Sequence, residues 1–239
     1  MRPEITEIWV YLSESPLLWL TVTLIAYVGA ERLSVRLKRH PLANPVVLAA
    51  TLLVALLLVT DTSYGAYFDG AQFVHFLLGP ATVALAVPLY RNIGTVRKSL
   101  LPMAVALLAG SITAAASAVA IAWVLGAPPT VLASLAPKSA TAPIAMELAR
   151  NLGGIASLAA VLVILTGIIG AVVVTPLMNA LGIKDFAARG FAAGVASHGI
   201  GTARAFQVSE LAGTFAGIAM GLNGALTSLI VLTWIVLAG

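Results

Sequence analysis

The chain has no cysteine among its 239 residues. That removes disulfides, thiolate metal sites and thiol nucleophiles together. Charge is also scarce, at 9% Asp, Glu, Lys and Arg, against roughly 25% in an ordinary soluble domain. Only three histidines occur, so without cysteine no metal site is expected. Gly-x-Ser-x-Gly, His-Glu-x-x-His and Walker patterns are all missing, and no cofactor or enzymatic activity is expected. The first residues, Met1 to Glu14, carry Glu4, Glu7 and Glu14 where a secretory leader needs a basic region. The first apolar stretch therefore reads as a retained span. What the chain does have is apolar residues, 60% of the total, with a mean hydropathy of +1.04. A water-soluble globule is excluded, and the bilayer becomes the solvent to reason with.

The formal charge is +4, but the cations are not gathered into one patch with interleaved aromatics, so nucleic acid is not an expected partner. They lie in short runs beside apolar stretches, where they orient spans in a membrane. Apolar runs fall at about Pro16–Ala30, Pro45–Thr60, Ala71–Tyr90, Leu100–Leu125, Thr130–Asn151, Ile155–Ala180, Phe186–Leu211 and Gly213–Leu237. The reading is an all-α integral membrane protein of about eight transmembrane elements, several of them discontinuous, in a transporter-like repeat architecture. Residues 1–15 read as an interfacial segment and 16–239 as one transmembrane domain with halves 16–126 and 127–239. Arg32, Arg36, Lys38, Arg39, Arg91, Arg97, Lys98, Arg150 and Arg204 fall on inward ends or inward halves when both termini are placed outside a plasma (inner) membrane. Arg2, Lys184 and Arg189 oppose that orientation. An interrupted element that re-enters instead of spanning would flip everything after it.

Three elements carry Gly or Pro breaks: Leu78-Gly79-Pro80-Ala81-Thr82, Ala136-Pro137-Lys138-Ser139-Ala140-Thr141 with Pro143 just beyond, and Ser197-His198-Gly199-Ile200-Gly201-Thr202. Non-helical backbone at membrane depth is tolerated only where protein or a wet cavity satisfies it. In each break a Thr follows that can cap a new half-helix, whose free N–H groups and dipole favour an anion. The breaks also concentrate polar side chains: Thr82 at the first, Lys138, Ser139 and Thr141 at the second, His198, Thr202 and Arg204 at the third. This chemistry suits a small carboxylate, with Arg204 as a bidentate fork, Lys138 as a compact charge and the hydroxyls beside it. Glu147 either carries a coupling proton or pairs with Arg150 or Lys138. His198 is either a proton shuttle or a histidine bonded to backbone at a helix break. Asn223 either reaches the site or clamps helices together. Gly213, Gly217 and Gly221 recur every fourth position, a pattern for close helix packing within the chain or in a homodimer. Sliding the chain by 59 positions sets Thr82 over Thr141 and Arg91-Asn92-Ile93-Gly94 over Arg150-Asn151-Leu152-Gly153, a weak internal repeat.

At these residues the sequence resembles the LrgB/CidB family of bacterial membrane proteins, which takes in YohK-like chains and the carboxyl-terminal half of the plastid glycolate/glycerate translocator. The resemblance covers nearly everything after Pro16. It rests on Phe76–Tyr90 (FLLGPATVALAVPLY), Pro137–Glu147 (PKSATAPIAME) and Ala196–Ala205 (ASHGIGTARA). At the middle motif the family more often has Lys-Ser-Val-Thr-Thr-Pro, where this chain has Ala140 and Ala142. The resemblance implies one of two activities: a secondary carrier of small monocarboxylates of the glycolate, glycerate, pyruvate or lactate kind, with proton coupling a further expectation, or an antiholin-like regulator of murein hydrolase export and cell lysis. The polar residues at the breaks favour the carrier. A smaller LrgA-like membrane partner is implied by the resemblance alone.

Overall fold

The computed structural model describes residues 16–77, 80, 83–84 and 86–238. All the regular structure among them is helical. The chain divides into two compact units, Met1–Ala84 and Leu85–Gly239.

In the first unit α1 (Pro16–Arg36), a short 3-10 turn (Pro41–Ala43), α2 (Pro45–Val59) and α3 (Tyr64–Phe76) follow one another. Asn44 caps α2 by accepting from the N–H groups of Val46 and Val47 at 2.9 and 3.4 Å, with Pro45 at the first helical position, where a missing N–H costs nothing. The α1 surface that meets its neighbours is small, with Ala26 and Ala30 buried beside the fully buried Trp19. Trp19 lies edge-on to Tyr67, ring centres 5.8 Å apart, and Thr23 Oγ1 bonds the Tyr67 hydroxyl at 3.2 Å. At 15 residues α2 is about 22 Å long, short of the ~30 Å hydrocarbon core. Of the expected third span, Ala71–Tyr90, the stretch to Phe76 lies on α3 and Ala86–Tyr90 on the next described helix; Pro80, Val83 and Ala84 between them are helical too, and 78–79, 81–82 and 85 lie outside the described residues.

The second unit holds α4 (Ala86–Arg91), α5 (Ile93–Lys98), α6 (Leu100–Val124), α7 (Pro129–Leu135), α8 (Ala142–Asn151), α9 (Ala156–Ala180), α10 (Phe186–Val208) and α11 (Glu210–Ala238). With α1, the helices α6, α9 and α11 make four long and apolar enough to cross a membrane among the described residues. Their surfaces are inverted relative to a soluble protein. Leu101, Val124, Ile169 and Val236 are exposed, while Ala159, Ala171, Ala216 and Ala219 are buried. Lipid competes well for large apolar side chains, so close backbone approach of small residues holds such helices together.

The backbones of α10 and α11 approach each other closely. A Cβ added at Gly190 would lie 2.0 Å from the Ala212 carbonyl oxygen, and one at Gly194 2.1 Å from that of Ala216. The small-residue face that packs here is thus Gly190 and Gly194 against Ala212, Ala216 and Ala219. Of the expected stripe Gly213, Gly217, Gly221, Gly213 packs against the Phe206 ring of α10 and Gly221 looks into open space.

These contacts also fix direction. Gly190 meets Ala212 and Gly194 meets Ala216, so the first half of α10 runs parallel to α11 although the two helices are consecutive. The second half of α10 must return, and Ala205 packs on the same Ala212 and Ala216. Gly201 lies against the Ala193 carbonyl, 2.8 Å from where a Cβ would stand; eight residues of straight helix would hold them about 12 Å apart. The reversal falls at Ser197 (φ −131°, ψ 15°) and His198 (φ 39°, ψ −132°). The element expected to span from Phe186 to Leu211 is therefore a hairpin that enters and leaves at the same end.

The α7–α8 pair is a second hairpin. Ser134 on α7 accepts from the Ile155 N–H beyond the end of α8 at 2.7 Å, and Gly154 packs against the Ser134 backbone, so the chain returns beside its entry. α8 closes with Gly153 at φ 76° and Gly154 N–H bonded to the Ala149 carbonyl at 2.7 Å, a glycine-dependent helix stop. The two hairpins enter from opposite ends. α6 runs parallel to α10's first half and to α11, since Ser99 and Asp185 line one apolar groove with Gly110 and Val195 further along it. α9 runs the other way, with Asn179 beside Arg189 and Gly170 beside Ser197.

Hairpin plus spanning helix is thus repeated with inverted direction. α7 starts at 129 and α10 at 186, while α8 ends at 151 and α10 at 208, both 57 positions apart. Contacts follow nearly the same relation: Gly167 of α9 faces the Ile200 side chain of the second hairpin and Gly224 of α11 faces Ile144 of the first, the glycines 57 positions apart and the isoleucines 56.

Candidate functional site at the hairpin tips

The tips of the two hairpins meet at Asn223, in the middle of α11 and fully buried. Its Nδ2 donates to the Ser139 carbonyl of the first tip at 2.9 Å and to the Val195 carbonyl beside the second tip at 3.3 Å. Its Oδ1 accepts from the Ser111 hydroxyl of α6. A chain reversal leaves backbone carbonyls without their helical partners, and in a low-dielectric interior each needs another donor. One amide serves both reversals.

At the second tip His198 is buried with φ 39°, a left-handed backbone that costs a non-glycine residue about 1–3 kcal/mol. Its Nε2 donates to the Val163 carbonyl of α9 at 2.8 Å; because a carbonyl only accepts, Nε2 carries the hydrogen. Gly167 and Gly170 make room, since a Cβ there would stand 2.6 Å from His198 Cε1 and 1.6 Å from Ser197 Oγ. Thr202 donates its hydroxyl to the His198 carbonyl at 2.8 Å and so braces the turn instead of capping a new helix. The non-helical residues are Ser197 and His198, not the expected Gly199 and Gly201. Gly201 serves close approach, and the nearest atom to a Cβ at Gly199 is the Met220 sulfur at 3.8 Å.

At the first tip Pro137 and Ser139 are buried and Lys138 half-buried. Lys138 Nζ donates to Ser139 Oγ at 3.3 Å. Thr141 occupies the α8 N-cap with extended backbone (φ −70°, ψ 153°) but makes no side-chain cap bond, and Pro143 sits in the first turn of α8. Pro143 therefore starts a helix and does not break one. Lys138, Ser139, Thr141 and the N-terminus of α8 thus lie together at the first tip.

Other expected site residues lie elsewhere. Arg204 is buried on the return limb of α10, about 9 Å along the helix from His198, with Nη1 donating to Gln207 Oε1 at 3.2 Å. It lines a small cavity with Arg189 and Thr175. Glu147 pairs with Arg150 at 3.2 Å with both side chains mostly exposed, away from the tips. Of the first expected break Pro80 is described, whereas Gly79 and Thr82 lie outside the described residues. Residues that sequence reasoning missed are Ser111, Ser134, Gly167 and Gly170. A glycine pair three apart in the middle of an apolar span was the available signal for the last two.

A multi-pass helical membrane protein with buried polar groups gathered where two opposed hairpins meet is the class these features define. The chain belongs to the LrgB-like family, which matches residues 23–237. It is 34% identical over 208 residues to YwbG of Bacillus subtilis, covering 87% of this chain and 92% of the relative. It is 29% identical over 214 residues to a holin-like protein CidB of Staphylococcus epidermidis, covering 90% and 93%. A protein of Haemophilus influenzae is 32% identical over 213 residues, covering 89% and 92%. No solved structure matches the chain.

Proposed function

We propose that this chain is a secondary carrier of small monocarboxylates in the plasma membrane, with glycolate, glycerate, pyruvate or lactate as the substrate class. The observation that carries this reading is the tip-to-tip meeting of two inverted hairpins on Asn223, with Lys138 at the junction. Discontinuous helices at the interface of inverted repeats are a recurring way to build a carrier's binding site at mid-membrane. A half-helix N-terminus, an ammonium and a hydroxyl on one tip make an environment for one carboxylate. The orientation that goes with it has the N-terminal ends of α6, α10 and α11 in the cytoplasm, together with Arg91 of α4, Arg97 and Lys98 of α5, Lys184 and Arg189. With the hairpins folded back, Lys184 and Arg189 join the cytoplasmic cations instead of opposing them. Two reversed elements cancel, so the C-terminal end of α11 remains outside.

A second reading is favoured by the name of the CidB relative, holin-like: regulation of murein hydrolase export and cell lysis, together with an LrgA-like membrane partner. The two are separated by uptake of labelled glycolate and pyruvate into proteoliposomes holding the purified chain, beside Lys138→Ala. Saturable uptake that the variant loses supports the carrier. Absence of uptake from a folded preparation, alone and with an LrgA-like partner, overturns it in favour of lysis regulation.

A further inference from the structure

We propose that Asn223 is a positioning residue that couples the two hairpins, so that neither tip opens without releasing the other. This rests on the carrier reading for its purpose, but its physical content stands on the hydrogen bonds. The amide has two N–H donors and one carbonyl oxygen. One donor holds Ser139 of the first tip at 2.9 Å, the other holds Val195 beside the second at 3.3 Å, and the oxygen is held by Ser111 of α6. Both donors are used, so no N–H remains for a substrate. The residue is fully buried, so water does not replace a lost partner at low cost.

The coupling follows from that saturation. If the first tip moves away from α11, the freed Nδ2 hydrogen lacks an acceptor and the Ser139 carbonyl lacks a donor. Reorienting the amide to find new partners pulls it from Val195 and Ser111. The surrounding packing leaves little slack, because Gly224, the next residue, already faces the Ile144 side chain of the first hairpin, 3.1 Å from where a Cβ would stand. On the other side the Val195 side chain lies 3.1 Å from where a Cβ on Gly110 of α6 would stand. α6 therefore takes part through Ser111 as well as through packing, and ties both tips to a spanning helix that belongs to neither repeat. A carrier whose two gates share one saturated amide has a direct means of keeping them in step.

The test is hydrogen–deuterium exchange of the full-length protein in lipid nanodiscs, comparing wild type with Asn223→Asp and Ser111→Ala. Asn223→Asp keeps the shape and the acceptor for Ser111 but removes both donors. Exchange is expected to rise at least tenfold in peptides covering both tips, 137–141 and 196–200, while peptides from the middle of α9 keep wild-type rates. Ser111→Ala, which removes only the bond that orients the amide, is expected to produce a smaller rise at the same two tips. A rise at one tip alone, or at neither, overturns the coupling. If Asn223→Asp loosens the whole chain, Ser111→Ala decides by the same criterion. The readout needs no substrate, so it stands or falls separately from uptake. Where wild type transports, Asn223→Asp is expected to lower kcat at least tenfold with KM changed less than threefold; a change confined to KM would instead make Asn223 a substrate ligand and overturn the positioning role.

Discussion

Replacing Gly190 with alanine tests the packing that folds α10 back. An added Cβ would stand 2.0 Å from the Ala212 carbonyl oxygen, a backbone atom that no rotamer change can move. Restoring ordinary contact requires the hairpin and α11 to separate locally by about 1 Å, and a gap of that size forfeits roughly a quarter to a half of each dispersion contact it opens. Overpacking of this kind costs about 2–3 kcal/mol. Alanine recovers up to ~1 kcal/mol through helix propensity, so Gly190→Ala is expected to be about 1–2 kcal/mol less stable than wild type. Gly221→Ala is the internal control, since its Cβ meets nothing within 4 Å; it keeps the propensity gain and is neutral or slightly stabilising. The assay is denaturant unfolding in detergent micelles followed by tryptophan fluorescence, with both variants run beside wild type. Equal stability of Gly190→Ala and Gly221→Ala, or a larger loss at Gly221, would refute the assignment of the packing face.

Further outcomes follow from single contacts. Ser134 accepts from the Ile155 N–H and donates to the Thr130 carbonyl, both at 2.7 Å, so Ser134→Ala strands the part-buried Ile155 N–H and is expected to cost about 1 kcal/mol in the same unfolding assay. Gly167→Ala places a Cβ 2.6 Å from the His198 ring and is expected to break the bond to Val163, seen as faster amide exchange at 197–200. The exposed pair of Glu147 and Arg150 is worth at most ~1 kcal/mol, so Glu147→Gln is expected to leave stability nearly unchanged and the pH dependence of uptake at its wild-type form; a lost pH dependence would restore Glu147 as a proton carrier.

How much of this was legible beforehand divides along physical lines. Spans such as α6, α9 and α11 show as long apolar runs because lipid demands them, and their limits agree with the helices to within a few residues. The clustering of Gly, Ser, His and Thr near 197–202 marked a break. The direction of the chain after it was not legible, since 23 residues suffice either to cross a bilayer or to enter and return. Only pairwise contacts such as Gly190 with Ala212 decide between them. The inverted repeat was hidden for a similar reason. Sliding the chain for identities aligned 82–94 with 141–153, whereas the structure relates 129–180 to 186–238 through helix ends and reciprocal Gly–Ile contacts, which conserve shape more than residue type. Asn223 is visible in the sequence as a polar residue within an apolar span, but its three partners lie 112, 84 and 28 residues away.

Because the chain has no native cysteine, single cysteines can report sidedness without background. The measurement that tests the hairpins most directly is labelling of Leu125→Cys, Asn151→Cys, Lys184→Cys and Glu210→Cys by a membrane-impermeant thiol reagent in sealed, oriented vesicles. The account predicts that positions 125 and 151 label from one side and positions 184 and 210 from the other. Labelling of 125 and 151 from opposite sides, or of 184 and 210 from opposite sides, would mean that these elements span the membrane and would contradict the opposed hairpins on which the site is built.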